Sequence, residues 1–180
     1  MFGDFNENPR KLEIAEIGDL FNVGSSKRVF QKDWKSEGIP FYRAREIVKL
    51  AENGYVDNEL FITPEMYDEY SKKYSVPVAG DIMVTGVGTL GVCYLVKEND
   101  RFYYKDGNTL CFHNKGVVDS RFILECYKMP FVREQIESNA GGTTVGTYTI
   151  INAKKTRVFN PPVEEQKAFV EFVEQCDKSK

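Results

Sequence analysis

One stretch of this 180-residue sequence has the spacing of a known ligand-binding motif. Gly86-Val87-Gly88-Thr89-Leu90-Gly91 reads GxGxxG, which in nucleotide-binding and S-adenosylmethionine-binding folds joins a strand to a helix whose N-terminus meets the ligand. Here the next residues, 92–96, form a β-like run, and no helical pattern follows. The sequence therefore predicts a glycine-rich connection between strands at this point, and not a nucleotide site.

A second stretch, Asn160-Pro161-Pro162-Val163, is similar to the Asn-Pro-Pro-aromatic motif of adenine-N6 methyltransferases. In that motif the Asn side chain and a neighbouring carbonyl hold the adenine amino group, and the aromatic ring stacks on the flipped base. Val163 cannot stack on a base, and the paired proline predicts that a helix begins at once. A fragment of an S-adenosylmethionine-dependent DNA adenine-N6 methyltransferase stays as the alternative, because the two motifs occur in the order that such an enzyme would require.

Positive charge is concentrated in residues 23–50. This segment has seven Lys and Arg against three Asp and Glu, a net charge of +4, although the whole chain has a net charge of −3. DNA binding requires local positive charge of this kind, because Lys and Arg neutralise phosphates and release counterions. Lys154, Lys155 and Arg157 form a smaller second group. A solvated basic face without a ligand is the alternative interpretation.

Several residues in and near the basic segment could contact DNA. Arginine can read guanine in the major groove, and hydroxyl and backbone N–H groups can bind phosphate. Arg43 and Arg45 follow a short strand-like run, and Thr143 and Thr144 lie in a glycine-rich loop in which the backbone can approach a ligand closely. The predicted DNA-binding residues are Ser25, Ser26, Lys27, Arg28, Arg43, Arg45, Thr143 and Thr144.

The remaining titratable residues show no catalytic or metal-binding spacing. The four cysteines, at positions 93, 111, 126 and 176, include no CxxC pair. His113 is the one histidine, and we expect a structural role for it in a β-like run. No carboxylate pair or Ser/His/Asp set stands out. We therefore expect no catalytic residue, no metal and no cofactor.

Composition is that of an ordinary globular protein, with 42% hydrophobic and 28% charged residues. The 13% aromatic content argues for a substantial β component. Residues 1–10 are polar and partly acidic where a signal peptide needs cations, and the most apolar stretch, residues 82–96, is too short and glycine-rich to span a bilayer. These features predict a reduced, cytoplasmic protein with no membrane partner.

Hydrophobic periodicity and turn residues predict an α/β protein: one domain with a mixed sheet, followed by a C-terminal helix. The predicted strands are residues 39–43, 60–62, 82–85, 92–96, 101–104, 109–113, 148–151 and 157–159. The predicted helices lie around residues 47–51, from Pro64 to before Pro77, at 120–129, at 131–138 and after Pro162. Asp106-Gly107 predicts a hairpin between the strands at 101–104 and 109–113.

The last predicted helix has one apolar stripe. Phe169, Phe172, Val173 and Cys176 are spaced i, i+3, i+4 and i+7, which places them on one face. One interpretation is a terminal helix that packs on its own domain. The other is a helix that leaves the domain and uses the stripe as an interface with a second helix.

Three ordered elements resemble the DNA specificity subunit of type I restriction–modification enzymes. They are the Ile-Pro-aromatic element at residues 38–43, the Gly-Asp-Ile … Gly-x-x-Gly element at residues 80–91, and the Gly-Thr-Thr loop with the later run Pro-Pro-Val-Glu-Glu-Gln-Lys-Ala-Phe-Val-Glu-Phe. The resemblance covers most of the chain, except for residues 50–75 and the tip of the 100–118 region. It implies a target recognition domain over residues 1–159 and the start of a conserved spacer helix over residues 160–180.

The resemblance also implies a function. A subunit of this family is non-catalytic, and each of its recognition domains reads one half of a bipartite double-stranded DNA target. Methyltransferase subunits supply the S-adenosylmethionine chemistry, and restriction subunits supply ATP-driven cleavage. The typical subunit has two recognition domains, whereas this sequence has one, so we also expect a weak homodimer through the terminal helix. The third hypothesis is a helix-mediated interaction protein that does not bind DNA.

Overall fold

A computed structural model describes residues 4–139 and 146–178. The strands are β1 (Ile14–Glu16), β2 (Phe21–Gly24), β3 (Ile39–Tyr42), β4 (Phe61–Ile62), β5 (Ile82–Thr85), β6 (Cys93–Leu95), β7 (Tyr103–Tyr104), β8 (Thr109–Asn114) and β9 (Arg157–Phe159). The helices are α1 (Ile17–Leu20), α2 (Ala44–Asn53), α3 (Pro64–Lys73), α4 (Ser120–Lys128), α5 (Pro130–Asn139), α6 (Ile150–Lys155) and α7 (Val163–Lys178), with a 3-10 turn at Gln31–Asp33.

The strands form three sheets. The largest has the order β2-β8-β5-β6, and each of its pairs is antiparallel. A second sheet has the order β4-β3-β7, in which β3 is antiparallel to β4 and parallel to β7. The third consists of β1 and β9. The mixed sheet and the interspersed helices confirm the predicted α/β class.

The four-stranded sheet is buried on both faces. On β5, Ile82 and Val84 pack into the main core with α1, α4, α5 and α7, whereas Met83 points to a second cluster with Ile47 and Leu50 of α2. All four residues of β5 are buried, which explains why its sequence is apolar without alternation. A third cluster, around Phe41, packs the three-stranded sheet against α3.

The connections gather at two opposite ends of the four-stranded sheet. Gly24 pairs with Cys111 and Thr85 with Thr109, so β2 and β5 end where β8 begins. We call this side the loop end: residues 25–30, 43–45, 86–92, 105–108 and 146–149. We call the opposite side the base: residues 78–81, 114–120 and 160–166.

Two predicted features of the chain are wrong. Residues 148–151 form no strand; helix α6 begins at Ile150 instead, because the Thr149 hydroxyl accepts a hydrogen bond from the Asn152 N–H (3.2 Å) and caps the helix. The predicted hairpin is also absent. Gly107 has the positive φ of a tight turn, but β7 joins β3 while β8 joins β2 and β5. The Asp-Gly turn therefore connects two different sheets.

Helix α7 begins packed on its own domain and becomes exposed toward its end. Gln166, Phe169 and Val170 are buried, and the Phe169 ring meets the Phe122 ring of α4 edge-on at 5.8 Å between centroids. Phe172 is 52% exposed. No helix among the described residues is both long and apolar enough to cross a membrane.

Candidate nucleic-acid interface

Sheet register and hydrogen bonds bring five loop segments together at the loop end. The Lys105 N–H donates to the Tyr42 carbonyl (2.8 Å), so β3 ends beside the 105–108 turn. The Gly86 N–H donates to the Asn108 carbonyl, and the Tyr148 N–H donates to the Gly86 carbonyl, both at 2.9 Å. These contacts hold the ends of β3, β5 and β7 and the segment before α6 at one surface.

The first predicted DNA-binding loop is fastened to this surface. The Ser26 hydroxyl donates to the Tyr104 carbonyl (2.7 Å), and the Tyr103 hydroxyl accepts from the Lys27 N–H (2.9 Å). Ser25 Oγ accepts from the Gly107 N–H (3.3 Å). These internal bonds of Ser25 and Ser26 help to position the loop, on which Lys27 and Arg28 are exposed.

The two cations of that loop have few partners. The Arg28 side chain is 66% exposed and donates from Nε to Asp106 (2.8 Å). Lys27 Nζ lies 5.8 Å from the centroid of the Tyr74 ring. Exposed Phe30 follows them on the same loop. Arg28 is the exposed member of this ion pair and is accessible to a phosphate, whereas the Asp106 side chain is 16% exposed.

Arg43 and Arg45 are held by two carboxylates. Arg43 donates from Nε and Nη2 to the two oxygens of Glu46, at 3.0 and 2.8 Å. Arg45 donates from Nε to Glu46 (2.6 Å) and from Nη2 to Glu59. Glu46 also accepts the Arg43 N–H (2.8 Å), which caps the start of α2. The buried Glu46 carboxylate thus fixes the orientation of both guanidinium groups.

The arginines and Glu46 stabilise each other's charged forms. Burial alone would raise the pKa of Glu46, but hydrogen bonds from Arg43 and Arg45 outweigh it and hold that pKa below its usual value of 4.5. The hydrogen bond to Glu46 in turn raises the pKa of Arg45. Glu46 is therefore ionised at neutral pH, and Arg45 stays charged with about half of its side chain exposed.

The glycine motif has a packing role. Gly91 has φ +69°, and a Cβ added there would lie 2.6 Å from Ile136 Cδ1. After Gly91 the chain enters β6, so no helix follows the motif along the chain. This geometry confirms the strand connection predicted from the sequence. It lacks the strand-loop-helix arrangement that a dinucleotide or S-adenosylmethionine site needs.

The Asn-Pro-Pro motif also serves the fold. The Asn160 side chain donates to Glu13 (3.2 Å), and the Pro161 carbonyl accepts from Gln166 Nε2 (2.7 Å). In a methyltransferase the corresponding groups hold adenine. Here they are engaged in joining β9 to the start of α7, at the base and away from the loop end. The methyltransferase alternative is not favoured.

Not all predicted residues are brought together. Thr143 and Thr144 lie outside the described residues. Lys154, in the smaller basic group, packs against Gly18 of α1, away from the loop end.

Two lysines at the loop end were not among the predicted DNA-binding residues. Lys105 lies in the 105–108 turn, and Lys49 lines a cleft with Arg45 and Thr89. A single lysine in a turn carries no sequence signal that would reveal such a position.

The four residues predicted to form the helix interface fall into a buried group and an exposed group. Phe169 belongs to the main core and Val173 packs against that core half-buried, whereas Phe172 and Cys176 are exposed. Phe169 is therefore a core residue, and assigning it to a contact with a second helix was wrong for this arrangement. Phe172 and Cys176 stay as the predicted contact residues.

These features are those of a DNA specificity domain, and the family comparison agrees. Residues 9–180 match the family described as the type I restriction modification DNA specificity domain. The chain therefore belongs to this family, which confirms the resemblance seen in the sequence.

Individual relatives give the same assignment. S.HindORF215P of Haemophilus influenzae, named as a putative type I restriction enzyme specificity subunit, is 30% identical over 166 residues, which are 92% of this chain and 40% of the relative. The S subunit structure from M. genitalium is similar with TM-score 0.60 at 19% identity, over 97% of this chain and 41% of that one. HsdS from Thermoanaerobacter tengcongensis has TM-score 0.65 at 13% identity, over 95% and 38%. At these identities the structures establish the fold alone. The chain spans about 40% of the length of these relatives.

Proposed function

We propose that this chain reads one half of a bipartite double-stranded DNA target for a type I restriction–modification complex, with the loop end facing the DNA. The observation that carries the proposal is the convergence of separate loops, with the exposed cations Lys27, Arg28 and Arg45, at one surface. Family membership supplies the class of ligand. The chain itself is non-catalytic in this proposal, and methyltransferase and restriction subunits supply the chemistry.

Within this interface we assign two kinds of contact. Lys27 and Arg28 are exposed and weakly paired, which suits phosphate contacts that fix orientation without reading sequence. Arg43 and Arg45 are oriented by Glu46, so less side-chain freedom is lost when they bind. An oriented guanidinium can donate two hydrogen bonds to guanine. Arg45, the more exposed of the two, is the residue that we assign to base reading.

The phosphate assignment is tested by the salt dependence of binding. We expect the full chain to bind a mixed-sequence duplex weakly, with affinity that falls as salt rises. The triple variant Lys27→Ala, Arg28→Ala, Arg45→Ala should lower the log–log slope by about 0.9 for each phosphate that is no longer neutralised. The matched control removes three exposed cations elsewhere: Lys97→Ala, Arg121→Ala, Lys167→Ala. Equal slopes in both triple variants would contradict the proposed surface.

The base-reading assignment is tested by a substitution that keeps the charge. Arg45→Lys retains a cation but cannot form the two-pronged contact. In selection from a randomised duplex pool, we expect it to relax the preference at one base pair, with a loss of about 1–3 kcal/mol of discrimination and an unchanged salt slope. Lys27→Arg is the control and should leave the selected sequence unchanged. A retained preference in Arg45→Lys would assign Arg45 to phosphate instead.

We further propose that α7 pairs with the α7 of a second copy, so that two recognition domains read a symmetric split site. The exposed Phe172 and Cys176 near its end support this contact. Burying Phe172 stabilises the pair by about 1.5–3 kcal/mol per side chain. Association costs about 4–15 kcal/mol, so the dimer is weak and concentration-dependent unless methyltransferase subunits support it.

A further inference from the structure

A cluster of metal-binding side chains lies outside the DNA interface, between the start of β5 and the end of β8. Cys111 and His113 are two residues apart on β8 and share one face. The pairing of Ile82 with Phe112 places Asp81, just before β5, opposite His113. His113 Nδ1 lies 2.7 Å from Asp81 Oδ2, and Cys111 Sγ lies 3.7 Å from His113 Nδ1 and 3.9 Å from Asp81 Oδ2.

These distances are close to those of a tetrahedral zinc site. Zinc bonds of about 2.0–2.3 Å hold a sulfur ligand about 3.6 Å from a nitrogen or oxygen ligand. Both measured sulfur distances are within a few tenths of an ångström of that value. The distance between Asp81 Oδ2 and His113 Nδ1 is that of a hydrogen bond. It must increase by about 0.7 Å for both atoms to coordinate the same ion.

The Asp81 carboxylate is already oriented by the backbone. Its Oδ1 accepts from the Asn114 N–H (3.1 Å), and its Oδ2 accepts from the Val78 N–H (3.0 Å). Bonds of this kind typically hold metal ligands in place from outside the coordination sphere. Asp81 and Cys111 are buried, and the His113 side chain is 20% exposed.

A second observation is an unsatisfied hydroxyl in the buried cluster that contains Cys111. The Tyr104 hydroxyl is buried and has no hydrogen-bond partner among the described residues. Tyr104 packs in the same buried cluster as Cys111. Burial raises the pKa of Tyr104, and Cys111 and Asp81 are close enough to raise it further. An unsatisfied buried hydroxyl costs about 1–3 kcal/mol, and an ion or its bound water gives it a partner.

We propose that Asp81, Cys111 and His113 bind a structural zinc ion, with the fourth position taken by the Tyr104 hydroxyl or by a water that it holds. The mixture of one sulfur, one imidazole nitrogen and carboxylate oxygen suits zinc. Magnesium and calcium prefer six or more oxygen ligands, which this cluster does not offer. The ion fastens the turn before β5 to β8 and stabilises the base of the fold. This inference is independent of the proposed DNA recognition.

Zinc content is the first test. The full chain, purified without a histidine tag, is dialysed against zinc and then against metal-free buffer, and bound zinc is measured by mass spectrometry. We expect about one zinc ion per chain in the parent protein. Cys111→Ser and His113→Gln should each weaken zinc binding by at least about tenfold, and Tyr104→Phe by less. Background zinc in the parent protein, or full zinc in both ligand variants, would overturn the proposal.

Cobalt substitution keeps the test decisive where a ligand variant fails to fold. With Co²⁺ added to the metal-free chain, we expect a thiolate-to-cobalt charge-transfer band and the intense visible bands of a tetrahedral site. The measurement is made in a Cys176→Ser background, because Cys176 is exposed and could bind metal at the surface. Cys126→Ser is the matched control, since Cys126 is equally buried and should leave the spectrum unchanged. Absence of the charge-transfer band in the folded Cys176→Ser protein overturns the site.

Discussion

The loop end and the base of the four-stranded sheet differ in how far their polar side chains are exposed to solvent. At the loop end, Arg28 and Arg45 are more than half exposed, although their carboxylate partners Asp106 and Glu46 are largely buried. At the base, Gln166 is fully buried: its Oε1 accepts from the Asp119 N–H (2.8 Å), and its Nε2 donates to the Pro161 carbonyl (2.7 Å). Polar groups at the base are buried and hold the fold together, whereas the cations at the loop end keep much of their surface in contact with solvent.

Because of this difference, substitutions at the two ends should affect different properties, folding stability at the base and DNA binding at the loop end. A buried polar side chain that is removed leaves its partners unsatisfied, which costs free energy of folding. An exposed cation that is removed takes away long-range attraction for a polyanion but little stability. Substitutions at the base should therefore lower the free energy of unfolding, and substitutions at the loop end should change DNA binding.

The largest effect is expected where α7 leaves the core. Phe169→Asp places a charge among Phe122 and Val170, and we expect it to cost at least about 3–5 kcal/mol and to unfold the chain. Phe172→Asp, one turn later, should leave the fold intact and abolish self-association. Urea unfolding and analytical ultracentrifugation measure the two effects.

Phe30→Asp is the matched control for self-association, because Phe30 is similarly exposed but lies at the loop end. It should leave the oligomeric state unchanged. If Phe172→Asp unfolds the protein, the end of α7 belongs to the core and the pairing proposal fails.

Gln166→Ala tests the base directly. It leaves the Asp119 N–H and the Pro161 carbonyl without their partner and creates a small cavity, so the expected loss is about 2–4 kcal/mol in the free energy of unfolding. Lys167→Ala, its exposed neighbour on α7, should change that free energy by less than about 0.5 kcal/mol. Similar losses in the two variants would remove the distinction between buried and exposed polar groups.

Glu46→Gln is expected to have a smaller effect that depends on pH. The pKa of Glu46 is lower in the folded chain than its usual 4.5, so the folded state binds the proton less tightly than the unfolded state. Its contribution to stability is present above pH 4.5 and is lost as pH falls through the lowered pKa.

Unfolding by urea at a series of pH values checks this sign. The Glu46→Gln protein should be less stable at neutral pH and should lose less stability on acidification below pH 4.5 than the parent protein does. Glu59→Gln is the control, because the Glu59 side chain is 72% exposed and contacts the same arginines. A Glu46→Gln protein as acid-sensitive as its parent would contradict the assignment.

The smallest effect on stability is expected at the loop end. Lys27→Ala and Arg28→Ala together should change the free energy of unfolding by less than about 0.5 kcal/mol per site while they reduce the salt dependence of DNA binding. Thermal unfolding of the double variant checks this. A large loss of stability would mean that these cations belong to the fold in the way that Gln166 does.

Features set by neighbouring residues could be predicted from the sequence. Thr63 before Pro64 predicted the start of α3, and the Thr63 hydroxyl accepts from the Met66 N–H (3.2 Å). The spacing of apolar residues at 120–129 predicted α4, and Phe122 and Ile123 are indeed buried. The same approach failed at residues 148–151, where β-branched residues favoured a strand but the local cap of Thr149 began a helix.

Contacts between distant segments were decided only by the tertiary structure. The Asp106-Gly107 turn was visible in the sequence, but its strands joined different sheets because β7 found its partner in β3, from much earlier in the chain. Glu59 contacts Arg45, and Asp81 contacts His113, through packing that no sequence spacing reveals. Caps and turns depend on groups a few residues apart, which a sequence displays. Strand partners and charge pairs depend on which surfaces the folded core brings together.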